Sequence, residues 1–184
     1  AAEMAQLKES GLVDQALYEA SFSRFVYDYG GWLPGAKSVI IAAFAQPIVQ
    51  LTYRWQGQTK QALIPPSYAF CREEARLTQL VADTLRPQGH LIERVYPPLK
   101  LLAVRSGLGL YGRNNICYVE GMGSLVRLMA WVSDMAASGD NWTEARRLPA
   151  CEHCSRCVRA CPSKCIDEHR LTIHAERCLT NLNE

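Results

Sequence analysis

Residues 151–162 read C-E-H-C-S-R-C-V-R-A-C-P, a spacing of C-x2-C-x2-C-x3-C-P. In the bacterial ferredoxin run of this form, closely spaced thiolates wrap one iron–sulfur cluster and the fourth ligates the other cluster of a pair. Cys151, Cys154 and Cys157 are therefore assigned to one cluster and Cys161 to a second, with Pro162 turning the chain away. Zinc knuckles instead pair their cysteines as two separated C-x2-4-C units. The uninterrupted spacing here points to iron–sulfur chemistry.

The chain has eight cysteines, and six of them fall in the last 34 of its 184 residues. A disulfide framework spreads its cysteines more evenly, so this crowding indicates metal ligation in a reducing compartment. Cys178 is the candidate partner of Cys161, and Cys165 is a candidate sixth ligand. Two 4Fe–4S clusters need about eight thiolates, so the expected chain continues beyond Glu184. Cys71 and Cys117 read as small buried apolar residues. His153, His169 and His174 read as surface residues, and Arg156 and Arg159 as a solvated basic face.

Outside this segment the chain is 48% hydrophobic with a formal net charge of +2. That composition supports a real core and gives no electrostatic case for nucleic acid or an anionic membrane. No apolar run approaches the roughly 20 residues of a membrane span. The acidic, mixed start at Ala1-Ala2-Glu3-Met4 is unlike a signal peptide. The expected compartment is the cytoplasm, and the missing initiator Met implies residues removed before Ala1.

Working toward the N-terminus, residues 136–149 (AASGDNWTEARRLP) are small, polar and Pro-terminated, which marks a boundary. Two units are expected, 1–145 and 146–184, the second too short to fold without a metal staple. In the first unit, residues 4–29 read as two helices, with Gly11 closing one and Asp14 opening the next. Leu17, Phe22, Phe25, Val26 and Tyr29 fall at helical spacing as a core-facing stripe. Lys37–Gln46 reads as a buried strand and residues 49–64 as a hairpin turning at Gln56-Gly57-Gln58. Cys71–Leu85 reads as a helix burying Leu77, Leu80, Val81 and Leu85, stopped by Pro87 and Gly89. Strands follow at 90–96, 116–119 and 125–132, with a short helix after Pro97-Pro98. Helices and strands mix without a βαβ repeat, so the expected class is α+β.

Residues 99–124 (LKLLAVRSGLGLYGRNNICYVEGMGS) are glycine-rich. Gly112 comes one residue too early for the dinucleotide fingerprint, and the order of strand and helix is wrong for it. Such glycines allow close backbone approach to a ligand or serve as turns between core elements. Arg105, Arg113, Asn114 and Asn115 are candidate partners for phosphate or amide groups.

Taken together, PGAKSVIIAAF, LAVRSGLGLYGRNN, GMGS, the cysteine run and AERCLTNLNE resemble epoxyqueuosine reductase and its shorter iron–sulfur relatives, themselves related to the reductive dehalogenases. The resemblance covers about residues 34–184. It implies a nitroreductase-like α+β domain that binds cobalamin, followed by a small ferredoxin-like domain with two 4Fe–4S clusters. By motif, Arg105, Gly107, Gly109, Gly112, Arg113, Asn114, Gly123 and Ser124 would sit near the cobalamin. Cys151, Cys154 and Cys157 would hold the nearer cluster, and Cys161 and Cys178 would belong to the farther one. The reductases proper place a catalytic Asp in a V-D-T-G-P stretch; here Glu93 falls there, within IERVYPP, and Tyr96 is a second candidate proton donor.

The function this implies is an iron–sulfur oxidoreductase passing electrons from 4Fe–4S clusters to cobalamin, to reduce a small electrophile or modified nucleoside. A non-catalytic electron-transfer or corrinoid-activating protein and a flavin-dependent reductase are the alternatives. Expected partners are a low-potential donor such as a ferredoxin or flavodoxin, and a small-molecule substrate. A tRNA partner follows from the family alone, because its tRNA-binding C-terminal repeats have no counterpart here.

Overall fold

The computed structural model describes residues 2–64, 73–139 and 142–182. Its central sheet has three strands, β1 (Ser38–Ala45), β4 (Ile92–Val95) and β7 (Val126–Ser133), in the antiparallel order β1-β7-β4. The strand VRLMAWVS occupies the middle and is buried from Met129 to Ser133. Side chains alternate across a strand, so β7 feeds two cores. Met129 and Trp131 pack on one face with Leu77, while Ala130 and Val132 pack on the other with Leu33 and Val95.

The expected burial of β1 is corrected by this order. Among the described residues β1 lies at the sheet edge, and most of its residues are only half-buried. A run such as VIIAAF cannot by itself report whether a second neighbour covers it.

The N-terminal segment also differs from its pattern. Helices α1 (Ala2–Glu9) and α2 (Gln15–Ala20) form, Gly11 adopts φ 69°, and the Asp14 carboxylate accepts the Leu17 amide as an N-cap. Helix α2 nevertheless stops at Ala20, and a short 3-10 turn, Phe22–Arg24, follows before extended backbone. The helical stripe therefore breaks up. Leu17 is buried and Phe22 stacks on Phe25, but Val26 is exposed.

Strands β2 (Val49–Trp55) and β3 (Gln58–Ile64) form the expected hairpin. Gln56 and Gly57 both have positive φ, 50° and 75°, the type I′ geometry that matches strand twist. Helix α3 (Glu73–Leu85) lies against β7, burying Leu77, Ala82 and Leu85. Leu80 is 54% exposed, a correction to its expected core position. Cys71 and Pro65-Pro66 lie outside the described residues. A 3-10 turn over Arg86–Gln88 and left-handed Gly89 end the helix as the Pro87 and Gly89 signals require.

Helix α4 (Leu99–Arg105) follows Pro98 and ends where Gly107 takes φ 78°. The glycine-rich stretch then folds into a two-stranded ladder of β5 (Leu110–Tyr111) and β6 (Cys117–Tyr118). Residues 143–148 run alongside it: Tyr111 donates to the Arg146 carbonyl and accepts from the Leu148 amide. The cysteine-rich segment contains two short helices, α5 (Arg156–Ala160) and α6 (Leu179–Leu182), joined by turns. The fold class is mixed helix and small antiparallel sheet, as expected. No helix among the described residues is long and apolar enough to cross a membrane.

Candidate functional site

The cysteine loop is built from tight local turns. Pro149–Cys151 makes a 3-10 turn, the Cys154 amide donates to the Cys151 carbonyl, and α5 carries Cys157. Cys161 ends that helix, its amide donating to the Cys157 carbonyl. Cys151, Cys154, Cys157, Cys161 and Cys178 are free and half-buried, a state that keeps thiols open to ligation.

Cys161 and Cys165 stand with their sulfurs 3.5 Å apart, and Ser163 Oγ lies 3.6 Å from Cys161 Sγ. The Ser163 hydroxyl, helped by main-chain donors at Cys165 and Ile166, lowers the Cys161 thiol to about 6. Burial raises the pKa of Cys165, which is 3% exposed. For Cys178 burial opposes ionisation, but the amides of Asn181 and Thr180 outweigh it and the pKa falls. Among the described residues no three Cys, His, Asp or Glu side chains converge as ligands of a single ion. A cluster instead takes its thiolates at separate corners, so it calls for a run of spaced thiols and not for one point of convergence.

Arg113 ties this loop to the glycine-rich segment. Its backbone N–H donates to Cys151 Sγ at 3.5 Å. Its guanidinium donates to the carbonyls of Cys151 (2.5 Å), Glu168 (3.1 Å) and Glu152 (3.4 Å). The residue is only 8% exposed, and its Nε finds no acceptor.

An apolar cavity of about 590 Å³ adjoins the cysteine segment. Its walls come from the N-terminal helices (Leu17, Phe22), from Pro97 to Leu101, from Asn115 to Cys117, and from Leu171 to Ile173. Lys100 lines it and donates to the Asn115 carbonyl at 3.1 Å. Part of the Lys100 side chain is exposed, yet burial pushes its pKa below the ordinary lysine value. Cys117 is buried in the adjoining core, and that burial raises its pKa against the pull of Lys100.

Of the residues expected near the cobalamin, Ser124 lines this cavity, as does Asn115, a candidate partner for phosphate or amide groups. Gly109 and Gly112 serve the fold itself: a Cβ on Gly109 would meet Cys117 Sγ at 2.7 Å, and one on Gly112 would strike the Tyr118 ring. Gly107 and Gly123 have positive φ with open space beside them. Arg105 donates to the Thr143 carbonyl, and Asn114 bonds the Tyr118 hydroxyl and the Ile116 amide. Glu93 is exposed on β4, paired with Val132. Tyr96 is 58% exposed beneath the Arg94 guanidinium, one residue before the cavity-lining Pro97.

The thiol donor set fits an iron–sulfur cluster. Of the residues carried over for a corrinoid, Arg105, Arg113 and Asn114 bond within the chain, while Ser124 lines the cavity. Lys100, Arg147 and Arg170 escaped the sequence reading. Lys100 hid in an ordinary helix, LKLLAVR, while Arg146-Arg147, a few residues upstream of the cysteine run, was a visible signal.

Solved structures align with nearly all of this arrangement. The epoxyqueuosine reductase from Streptococcus thermophilus is 20% identical and superposes with a TM-score of 0.63, covering 97% of this chain and 49% of that one. An epoxyqueuosine reductase crystallised with an epoxyqueuosine-modified tRNA-Tyr stem loop is 20% identical, with a TM-score of 0.65 over 98% of this chain and 49% of that one. The chain has the fold of the epoxyqueuosine reductases. The Bacillus subtilis enzyme is 18% identical, with a TM-score of 0.57 over 97% of this chain and 57% of that one. The chain thus spans about half the length of the solved structures it matches. No family model matches the chain, and no curated protein matches it in sequence.

Proposed function

We propose that this chain is an iron–sulfur oxidoreductase of the epoxyqueuosine reductase type. In this reading a ferredoxin-like unit, residues 146–184, serves an electron acceptor on a nitroreductase-like unit, residues 1–145. The observation that carries it is the joining of the C-x2-C-x2-C-x3-C loop, through Arg113, to the glycine-rich segment beside an apolar cavity. When bound, an iron–sulfur cluster supplies one-electron transfer at a potential set by its charge, its hydrogen bonds and its exposure.

The chain's own residues would bind and position. Cys151, Cys154 and Cys157 would hold the cluster nearer the corrinoid, and Cys161 and Cys178 would contribute to the second. The cavity's apolar walls exclude water, and Lys100 offers its ammonium to an electron-rich group within them. Tyr96, next to the cavity-lining Pro97, and Glu93 are the proposed proton donors. A low-potential donor such as a ferredoxin or flavodoxin would deliver the electrons, in the cytoplasm. The substrate is a small electrophile or a modified nucleoside, and the tRNA stem loop bound to one structural neighbour supports tRNA as its carrier.

The finer reading takes cobalamin as the electron acceptor, on the resemblance of the glycine-rich motif. The test is to purify the protein anaerobically, load it with iron and sulfide, and titrate it with cob(II)alamin by UV–visible spectroscopy. Saturable binding with a base-off shift supports the corrinoid. Intact cluster absorbance near ~400 nm without a corrinoid change sinks it. Flavin absorbance after purification would then mark a flavin-dependent reductase, and its absence an electron carrier.

A further inference from the structure

Arg113 grips the loop that opens the cysteine run, and Arg147 and Arg170 brace residues 168–174 that follow it. Arg113 and Arg147 both donate to the Glu168 carbonyl at 3.1 Å. Arg113 also takes the carbonyls of Cys151 and Glu152. Arg147 reaches the Arg170 carbonyl, and Arg170 in turn reaches the Leu12 carbonyl and the His174 ring. The Nε of each of the three is buried without an acceptor.

None of these guanidinium groups forms an ion pair with a carboxylate among the described residues. By contrast, Arg76 and Arg127 pair with Glu73 and Glu74. Carbonyl oxygens satisfy N–H donors but carry no net charge. A guanidinium stays protonated under all ordinary conditions, and removing it from water without a counter-charge is costly. Arg113 is the extreme case, over nine-tenths buried with an unused donor. The loop it grips supplies thiolates, and a cluster with its thiolates is a net anion.

We propose that Arg113, Arg147 and Arg170 form a cationic belt whose counter-charge is the thiolate-bound iron–sulfur cluster, and that the belt raises the cluster's reduction potential. This rests on the iron–sulfur reading above. Reduction adds one electron from a low-potential one-electron donor to the cluster and breaks no bond. The cluster's negative charge grows by that electron, so a fixed cation nearby stabilises the reduced state more than the oxidised one. The Arg113 N–H on Cys151 Sγ acts in the same direction, since hydrogen bonds to cluster sulfurs also tune the potential.

The experiment is a dithionite titration of the reconstituted protein followed by electron paramagnetic resonance, with iron and sulfide counted per chain. The variants are Arg113→Gln, Arg113→Lys and Arg147→Gln, each checked for native circular dichroism. The Gln variants keep the backbone N–H and lose the charge, while the Lys variant keeps both. Midpoints shifted to more negative values in R113Q and R147Q, with R113K near wild type, are the expected result. Reduced iron content in natively folded Gln variants, restored in R113K, supports the same charge balance. Wild-type midpoints in cluster-loaded R147Q and R113Q overturn the belt alone. A wild-type protein that takes up no cluster overturns the iron–sulfur reading and the belt with it. Arg147 is the less buried of the two sites, so R147Q carries the test if R113Q fails to fold.

Discussion

The backbone N–H of Arg113 donates to the Sγ of Cys151, and the guanidinium of the same arginine closes on the Cys151 carbonyl. Thirty-eight positions separate the two residues in the chain. This contact makes the glycine-rich segment and the cysteine loop one site, and it places a fixed donor on the first thiolate of the run.

If the run holds a cluster, Cys154→Ser removes one of its central ligands. The expected outcome is loss of the cluster's charge-transfer absorbance and of reductase turnover to background, with cofactor affinity at the cavity largely kept. Turnover surviving in a cluster-free C154S protein would show that electrons travel another route.

Gly112→Ala places a methyl group against the Tyr118 ring and the Asn114 amide oxygen. Overpacking of this kind costs about 1–3 kcal/mol. Gly31, with no neighbour to meet an added Cβ and no positive φ, is the matched control. Urea denaturation should show G112A clearly destabilised and G31A close to wild type; equal midpoints for the two variants would contradict the tight approach of Tyr118.

Trp131 is fully buried at the centre of β7, with Nε1 donating to Thr78 Oγ1 at 3.3 Å and the Phe44 ring edge-on. Truncation to Ala should cost about 3–5 kcal/mol. Leu80→Ala on the exposed face of α3 should stay within about 0.5 kcal/mol. Similar losses at the two sites would mean that α3 is rotated from the face seen here.

Asp134 accepts the Leu91 amide at 2.9 Å and faces His90 Nδ1 at 3.3 Å, which holds its pKa below the ordinary carboxylate value. A depressed folded pKa means that the unfolded chain binds the extra proton first as pH drops. The stabilisation is therefore present above the ordinary Asp pKa and lost as pH falls through the folded value. Wild type should melt above D134N near neutral pH, and the gap should close in acid. A gap independent of pH would remove Asp134 from that linkage.

Much of this was legible in the residues alone. The cysteine run carried its iron–sulfur expectation on its own because ligand spacing is a local property. Asp14, Gly89 and Gln56-Gly57 marked their cap, stop and turn because capping and positive φ are decided within a few residues. The α+β class followed from mixed periodicities without a βαβ repeat. Leu80 was misread because one apolar residue at helical spacing cannot say which face a neighbouring strand will cover.

The tertiary structure decided everything that depends on distant partners. It made β7 central and β1 an edge, since a strand's neighbours are chosen by packing and not by its own composition. It turned Arg105, Arg113 and Asn114 onto the chain itself and brought Lys100 to the cavity. It also brought Arg113 and Arg147 to one acceptor, the Glu168 carbonyl, with the Arg170 carbonyl accepting from Arg147. A guanidinium looks the same in sequence whether it meets solvent, a ligand or a carbonyl. Only the burial and the acceptors supplied by the folded chain distinguish these, and they come from residues far away along the sequence.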